Sequence, residues 1–73
     1  MKGNILFFLG KICVKEKNYG FAIKLFKKAL QYVWLFKDNV YEIEIYDLLG
    51  MCYYYQGETK KAHHYHEKYK LLK

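Results

Sequence analysis

The chain contains no arginine, no serine and no proline, and Thr59 is its only threonine. Without arginine there is no planar guanidinium for bidentate reading of phosphates, carboxylates or guanine. Without serine the commonest hydroxyl nucleophile is missing. No Cys–His pair sits in a recognisable catalytic motif, and there is no Gly-rich phosphate loop and no HExxH. Nothing therefore points to catalysis, and no catalytic or cofactor-binding residue is assigned. The absence of proline removes the strongest helix breaker and favours an all-helical chain. Cysteine is scarce: Cys13 and Cys52 are too few to staple a domain and fall in apolar helical runs, as small core residues of a reducing compartment do. No apolar run is long enough to span a bilayer. The short run Ile5–Leu9 is cut by Lys11 and no small-residue cleavage site follows, so no secretory leader is expected.

What is present is apolar and aromatic. Of 73 residues 53% are hydrophobic and 21% aromatic, too apolar for a disordered tail, and the net charge of +6 comes from thirteen basic residues, all lysine. Lysines steer a protein towards acidic partners while reading little geometry. A chain this short makes one small domain that is marginal alone, so its stability must come from regular helix packing or from a neighbour.

Helical periodicity places four helices. Asn4 is a candidate cap for the first, which runs to about Lys15 with Ile5, Leu6, Phe8, Leu9, Ile12 and Cys13 as a broad apolar face. Lys17-Asn18 makes the turn, with Asn18 suited to a left-handed conformation. The second helix runs from about Tyr19 to Phe36, with Ala22, Phe26, Ala29 and Val33 as one stripe, Leu25 and Leu30 beside it, and Lys24, Lys27, Lys28 and Gln31 opposite. Lys37-Asp38-Asn39 separates the halves, and Asn39 with Glu42, or Asp38 alone, is a candidate cap for the third helix. That helix runs from Val40 to about Tyr55, with Tyr46, Leu49, Gly50 and Tyr53 on one stripe and Ile45, Leu48 and Cys52 beside it. Gln56-Gly57 ends it, because glycine accepts the conformation past a helix terminus. The fourth runs from about Glu58 to Leu72 with Ala62, Tyr65, His66, Tyr69 and Leu72 aligned.

The halves repeat one another. Gly10 pairs with Gly50, Ala22 with Ala62, Ile5 with Ile45, Leu9 with Leu49 and Lys28 with Lys68, always 40 positions apart. Glycine inside a helix costs about 1 kcal/mol relative to alanine. Its recurrence, with alanine twelve residues on in both copies, predicts close helix–helix contacts at Gly10–Ala22 and Gly50–Ala62.

This layout resembles the tetratricopeptide repeat. Leu49-Gly50, Tyr53, Gly57, Ala62 and His66-Glu67-Lys68 carry the likeness in the second copy, and Leu9-Gly10, Ala22, Phe26 and Ala29 in the first. The period of 40 exceeds the usual length of about 34 residues and resembles the longer subclass, in which the second helix is extended. Leu6 and Tyr46 stand where the family has tryptophan, Cys13 replaces an aromatic, and Tyr69 replaces the last alanine. The resemblance implies an all-α fold of two antiparallel helical hairpins stacked as a segment of a right-handed solenoid. The repeats would cover about 3–36 and about 40–73, alone or within a larger array. It implies a non-catalytic scaffold subunit whose first helices line a groove for a partner polypeptide. In the family's register the groove takes Phe7, Lys11, Val14 and Lys15 from one copy and Glu44, Asp47, Met51, Tyr54 and Tyr55 from the other. The partner-binding set is Phe7, Lys11, Val14, Met51, Tyr54 and Tyr55. The lysine and asparagine pattern that binds a C-terminal carboxylate in one subtype is missing. A stripe of Tyr65, Tyr69 and Leu72 at the far end would dock on a neighbour, in a hetero-complex or a homo-oligomer. The longer subclass points to a cytoplasmic, cytoskeletal or ciliary setting.

Other chemistry finds little room. His63 and His66 share a helix face with Glu67 near, but zinc needs three or four converging ligands and no second cluster supplies the rest, so no metal is expected. Glu42, Glu44 and Asp47 cluster on one helix without a pocket around them. The alternative to a protein partner is nucleic acid, which a basic, tyrosine-rich chain could hold by phosphate attraction and base stacking.

Overall fold

The computed structural model describes residues 2–36 and 40–72, with side chains over 5–35 and 41–72. They form four helices, α1 (Lys2–Lys15), α2 (Tyr19–Phe36), α3 (Val40–Tyr55) and α4 (Thr59–Leu72), and no strand is present among the described residues. Helices α1 and α2 form one antiparallel hairpin, α3 and α4 a second, and α2 packs against α3 to join them. The all-α double hairpin expected from the sequence is therefore the fold observed.

Two local expectations need correction. Helix α1 already includes Lys2, so Asn4 lies inside it and is not its cap. The candidate caps Asp38 and Asn39 lie outside the described residues, and Glu42 bridges two side chains. Its Oε2 accepts hydrogen bonds from Trp34 Nε1 (3.2 Å) and Tyr46 Oη (3.0 Å), tying the end of α2 to the start of α3. The left-handed residue of the first turn is Lys17, at φ 62°, and not Asn18.

Hydrogen bonding explains the last point. Lys17 N–H donates to the Val14 carbonyl (3.0 Å) and Asn18 N–H to the Cys13 carbonyl (2.8 Å), the paired bonds that close a helix end around one left-handed residue. Asn18 is already committed to the next helix, because its carbonyl accepts from Ala22 N–H (3.1 Å). The second turn repeats this pattern 40 residues later. Gly57 N–H reaches the Tyr54 carbonyl (3.0 Å), Glu58 N–H the Tyr53 carbonyl (2.9 Å), and Ala62 N–H the Glu58 carbonyl (3.0 Å), with Gly57 at φ 81°.

Helix α2 is the centre of the core. Ala22, Phe26, Ala29 and Val33 are buried as their spacing predicts, and Ile23 and Leu30 join them. From α3 come Ile45, Tyr46, Leu49, Cys52 and Tyr53. Helix α4 packs on α3 alone and contributes no fully buried residue; Ala62, Tyr65 and Tyr69 are half-buried and His66 is exposed.

Helix α1 departs most from expectation. Phe7 is its core residue, 2% exposed, with its ring 6.2 Å from that of Phe26 and 5.1 Å from that of Tyr41. Leu6 and Cys13 are half-buried, whereas Ile5, Phe8, Leu9 and Ile12 are all exposed. Apolar side chains surround this helix, so periodicity could not say which of them meet α2.

The two helical glycines differ. A Cβ on Gly10 would lie 2.6 Å from Cε1 of Phe26, a fully buried ring with nowhere to retreat, so the tight neighbour there is Phe26. A Cβ on Gly50 would meet the Ala62 carbonyl oxygen at 3.5 Å, an ordinary contact. The expected Gly50–Ala62 contact is present, but it leaves room for a methyl group.

Candidate protein-binding grooves

Two grooves run along α3. The first, of about 340 Å³, lies between α1 and α3 and is lined by Phe8, Lys11, Ile12, Val14, Lys15 and Leu48. The second, of about 560 Å³, lies between α3 and α4 and is lined by Asp47, Gly50, Met51, Tyr54, Tyr55, Thr59, Ala62, His63 and His66. Leu48, Met51 and Tyr55 stand at i, i+3 and i+7 of α3 and form the ridge between them. Both grooves are open, apolar-floored and charge-rimmed, the form that lays against a helix or an extended segment.

The predicted residues divide between core and surface. Lys11 is exposed, with Nζ 5.3 Å from the centre of the Phe7 ring. Val14 is half-buried at the floor of the first groove. Met51, Tyr54 and Tyr55 are exposed at the second, with Tyr55 held by a ring stack on Tyr19 at 5.0 Å. Phe7 does not belong to this set, because it is sealed between α1, α2 and α3. Phe8, Ile12 and Leu48 line the first groove instead, although nothing in their spacing separates them from core positions. For Phe8 and Ile12 the one available signal is the lysine on their side of α1, since Lys11 and Lys15 lie beside them on the wheel.

The stripe expected at the far end is also redistributed. Tyr65 turns into the second hairpin, where its ring stacks on Tyr53 (5.6 Å, 7°) and Tyr46 (6.1 Å, 30°). Tyr69 is half-buried, with His66 stacked 6.2 Å from its ring, and Leu72 is exposed.

Lysines border the tyrosine stack. Lys27 and Lys61 place Nζ 5.7 and 5.5 Å from the Tyr53 ring centre, and Lys68 lies 5.7 Å from that of Tyr46. The Tyr53 hydroxyl raises the Lys27 pKa against a smaller desolvation effect. Burial raises the Tyr46 and Tyr65 hydroxyls, with the Glu42 hydrogen bond adding to the shift at Tyr46. These shifts keep Lys27 charged and the two phenols neutral at physiological pH, which suits structural positions.

The histidines do not converge. His63 Nε2 is 3.7 Å from Glu67 Oε1, His64 sets its ring edge-on to Tyr65, and His66 lies against Tyr69. Among the described residues no three His, Cys, Asp or Glu side chains gather in a metal-binding group. Cys13 and Cys52 are free thiols.

A family model of the tetratricopeptide repeat matches residues 2–69, nearly the whole chain. The chain belongs to the tetratricopeptide repeat family. Repeats of this family generally mediate protein–protein interactions, and the family is typically a non-catalytic interaction module. No curated protein and no solved structure matches the chain. Among the described residues, no helix of this tetratricopeptide fold is long and apolar enough to cross a membrane.

Proposed function

We propose that this tetratricopeptide chain is a scaffold subunit that holds a segment of another polypeptide along the exposed faces of α1 and α3. The observation that carries the proposal is the first groove: exposed Phe8 and Ile12 with half-buried Leu48 make its apolar floor, and Lys11 and Lys15 make its cationic rim. Met51, Tyr54 and Tyr55 extend the surface across the ridge. Aromatic and methionine side chains that stay exposed on a folded scaffold are the groups enriched at protein interfaces. The charge of the rim, within a chain of net charge +6, favours a partner segment that alternates apolar and acidic residues. The partner supplies the other half of a hetero-complex, and the assembly belongs to the cytoplasm or the cytoskeleton.

The test compares the wild-type chain with Met51→Glu and with Lys11→Glu in affinity capture followed by mass spectrometry, with circular dichroism on each. The expected result is loss of a shared captured protein from both variants at unchanged helicity. Capture that survives both substitutions would overturn the proposal. Salt separates the nucleic-acid reading. Binding built on phosphate contacts falls by about 10³-fold or more between roughly 50 and 200 mM salt, whereas an apolar groove keeps its partner.

A further inference from the structure

Helix α3 has a second face. Glu42, Tyr46 and Tyr53 stand at i, i+4 and i+11, opposite the ridge of Leu48, Met51 and Tyr55. Helices α2 and α4 flank this face; each packs on α3, and their backbones do not meet. The result is a cleft with α3 as its floor. It lies inside the two-hairpin unit, so its form does not depend on what adjoins either end.

Rings close the floor. Tyr46 and Tyr53 are 4% and 5% exposed, and half-buried Tyr65 of α4 stacks on both. Lysines from both walls stand over these rings. Lys27 of α2 and Lys61 of α4 place Nζ 5.7 and 5.5 Å from the centre of the Tyr53 ring, so at most about 11 Å parts the two ammonium groups. Lys68 of α4 does the same at Tyr46, 5.7 Å from its centre. Tyr46 and Tyr53 are two helical turns apart, as are Lys61 and Lys68, which sets the two cationic ends about 10 Å from one another. A ring face holds an ammonium group in place without neutralising it, and the lysine stem packs beneath the charge.

The acidic side chains nearby leave most of this charge unmatched. The Glu42 carboxylate is engaged by Trp34 and Tyr46. Glu58 is 3.6 Å from Lys61 in an exposed pair. Among the described residues Lys27 and Lys68 have no carboxylate within ion-pair distance. Helix α2 adds Lys24 and Lys28 and carries no acidic residue at all.

We infer that the cleft between α2 and α4 docks an acidic segment of a partner polypeptide, with carboxylates about 10 Å apart meeting Lys27 and Lys61 at one end and Lys68 at the other. A single phosphate group is too small to span both ends. Single-stranded nucleic acid is held by stacking on open aromatic faces, and here the floor rings are sealed against Tyr65. A second copy presenting the same cleft would set lysine against lysine. This surface lies across α3 from the grooves of the scaffold reading and does not depend on them.

The test follows a fluorescein-labelled polyglutamate peptide of about ten residues by fluorescence anisotropy at roughly 0.1 M salt, where charges beyond about 10 Å are screened. Methionine in place of lysine keeps the stem over the ring and removes the charge. Lys27→Met with Lys68→Met is expected to weaken binding by about tenfold or more at unchanged helicity. Lys17→Met with Lys70→Met removes the same charge outside the cleft, and Met51→Glu alters the grooves; each should change affinity by less than about twofold. No binding to the wild-type chain, equal weakening by the two lysine pairs, or loss of binding on Met51→Glu would overturn the inference. So would tighter binding of a single-stranded oligonucleotide of about ten bases that the Lys27 and Lys68 pair abolishes, since the occupant would then be nucleic acid.

Discussion

The two hairpins share one turn, hydrogen bond for hydrogen bond, and bury very different amounts of themselves. Helix α2 sits between two neighbours and hides Ala22, Phe26 and Ala29 completely. Helix α4 has α3 alone and hides nothing completely. Backbone pattern in this family is therefore set within each repeat, while burial is set by who comes next. A position can keep its place in the repeat and lose its role in the core, as Phe26 and His66 do.

That contrast is most easily broken at Phe26 and His66. Phe26→Ala removes a fully buried ring and is expected to cost about 3–5 kcal/mol, enough to unfold a domain of this size. His66→Ala removes an exposed imidazole and should stay within about 0.5 kcal/mol. Urea titration followed by circular dichroism measures both, and similar losses at the two positions would refute the asymmetry. The glycines come next. Gly10→Ala forces a methyl into the Phe26 ring and is expected to cost about 1–3 kcal/mol. Gly50→Ala meets only ordinary contacts and should gain up to about 1 kcal/mol from helix propensity. A smaller effect sharpens the likeness between the turns. Lys17→Gly relieves a left-handed residue and should stabilise the chain by about 1 kcal/mol, while Gly57→Lys should cost about as much.

The smallest effect separates the thiols. Burial, with Cys13 close by, pushes the Cys52 thiol from an ordinary 9.0 up to about 11. The folded chain holds this thiol neutral while the unfolded chain releases its proton. The stability it contributes is therefore complete below pH 9.0 and is lost as pH rises towards about 11. The raised Tyr46 and Tyr65 hydroxyls act in the same direction. Melting temperature should fall across this window, and thiol reagents should label half-buried Cys13 before buried Cys52.

Much of the fold was legible because α2 sets an apolar stripe clearly apart from its lysines. Ala22, Phe26, Ala29 and Val33 could be read from spacing alone, and so could the glycine that ends α3. Helix α1 was not legible in the same way. It carries apolar residues on every side, so Phe7 and Phe8 exchange core and surface without disturbing any period. The choice depends on where α3 lies, which is information from 40 residues away. The first turn hid its left-handed residue for a different reason. Propensity favours Asn18, but the hydrogen bonds to Cys13 and Val14 place the strain one residue earlier. Of the residues lining the two candidate grooves, Lys11, Val14, Met51, Tyr54 and Tyr55 were expected from the family's register. Phe8, Ile12 and Leu48 were not legible from spacing, which does not separate an exposed or half-covered apolar residue from a fully covered one; only Lys11 and Lys15 mark the side of α1 that carries Phe8 and Ile12.

The shared carboxylate between Trp34 and Tyr46 gives the molecule an internal gauge. The indole is the chain's only one, and it lies 57% exposed across the junction of the two hairpins, held by Glu42. Its emission consequently reports on the joint between the halves and not on the melting of either. A shift in that emission ahead of any loss of helical signal would mean that the hinge opens while both helical pairs are still intact.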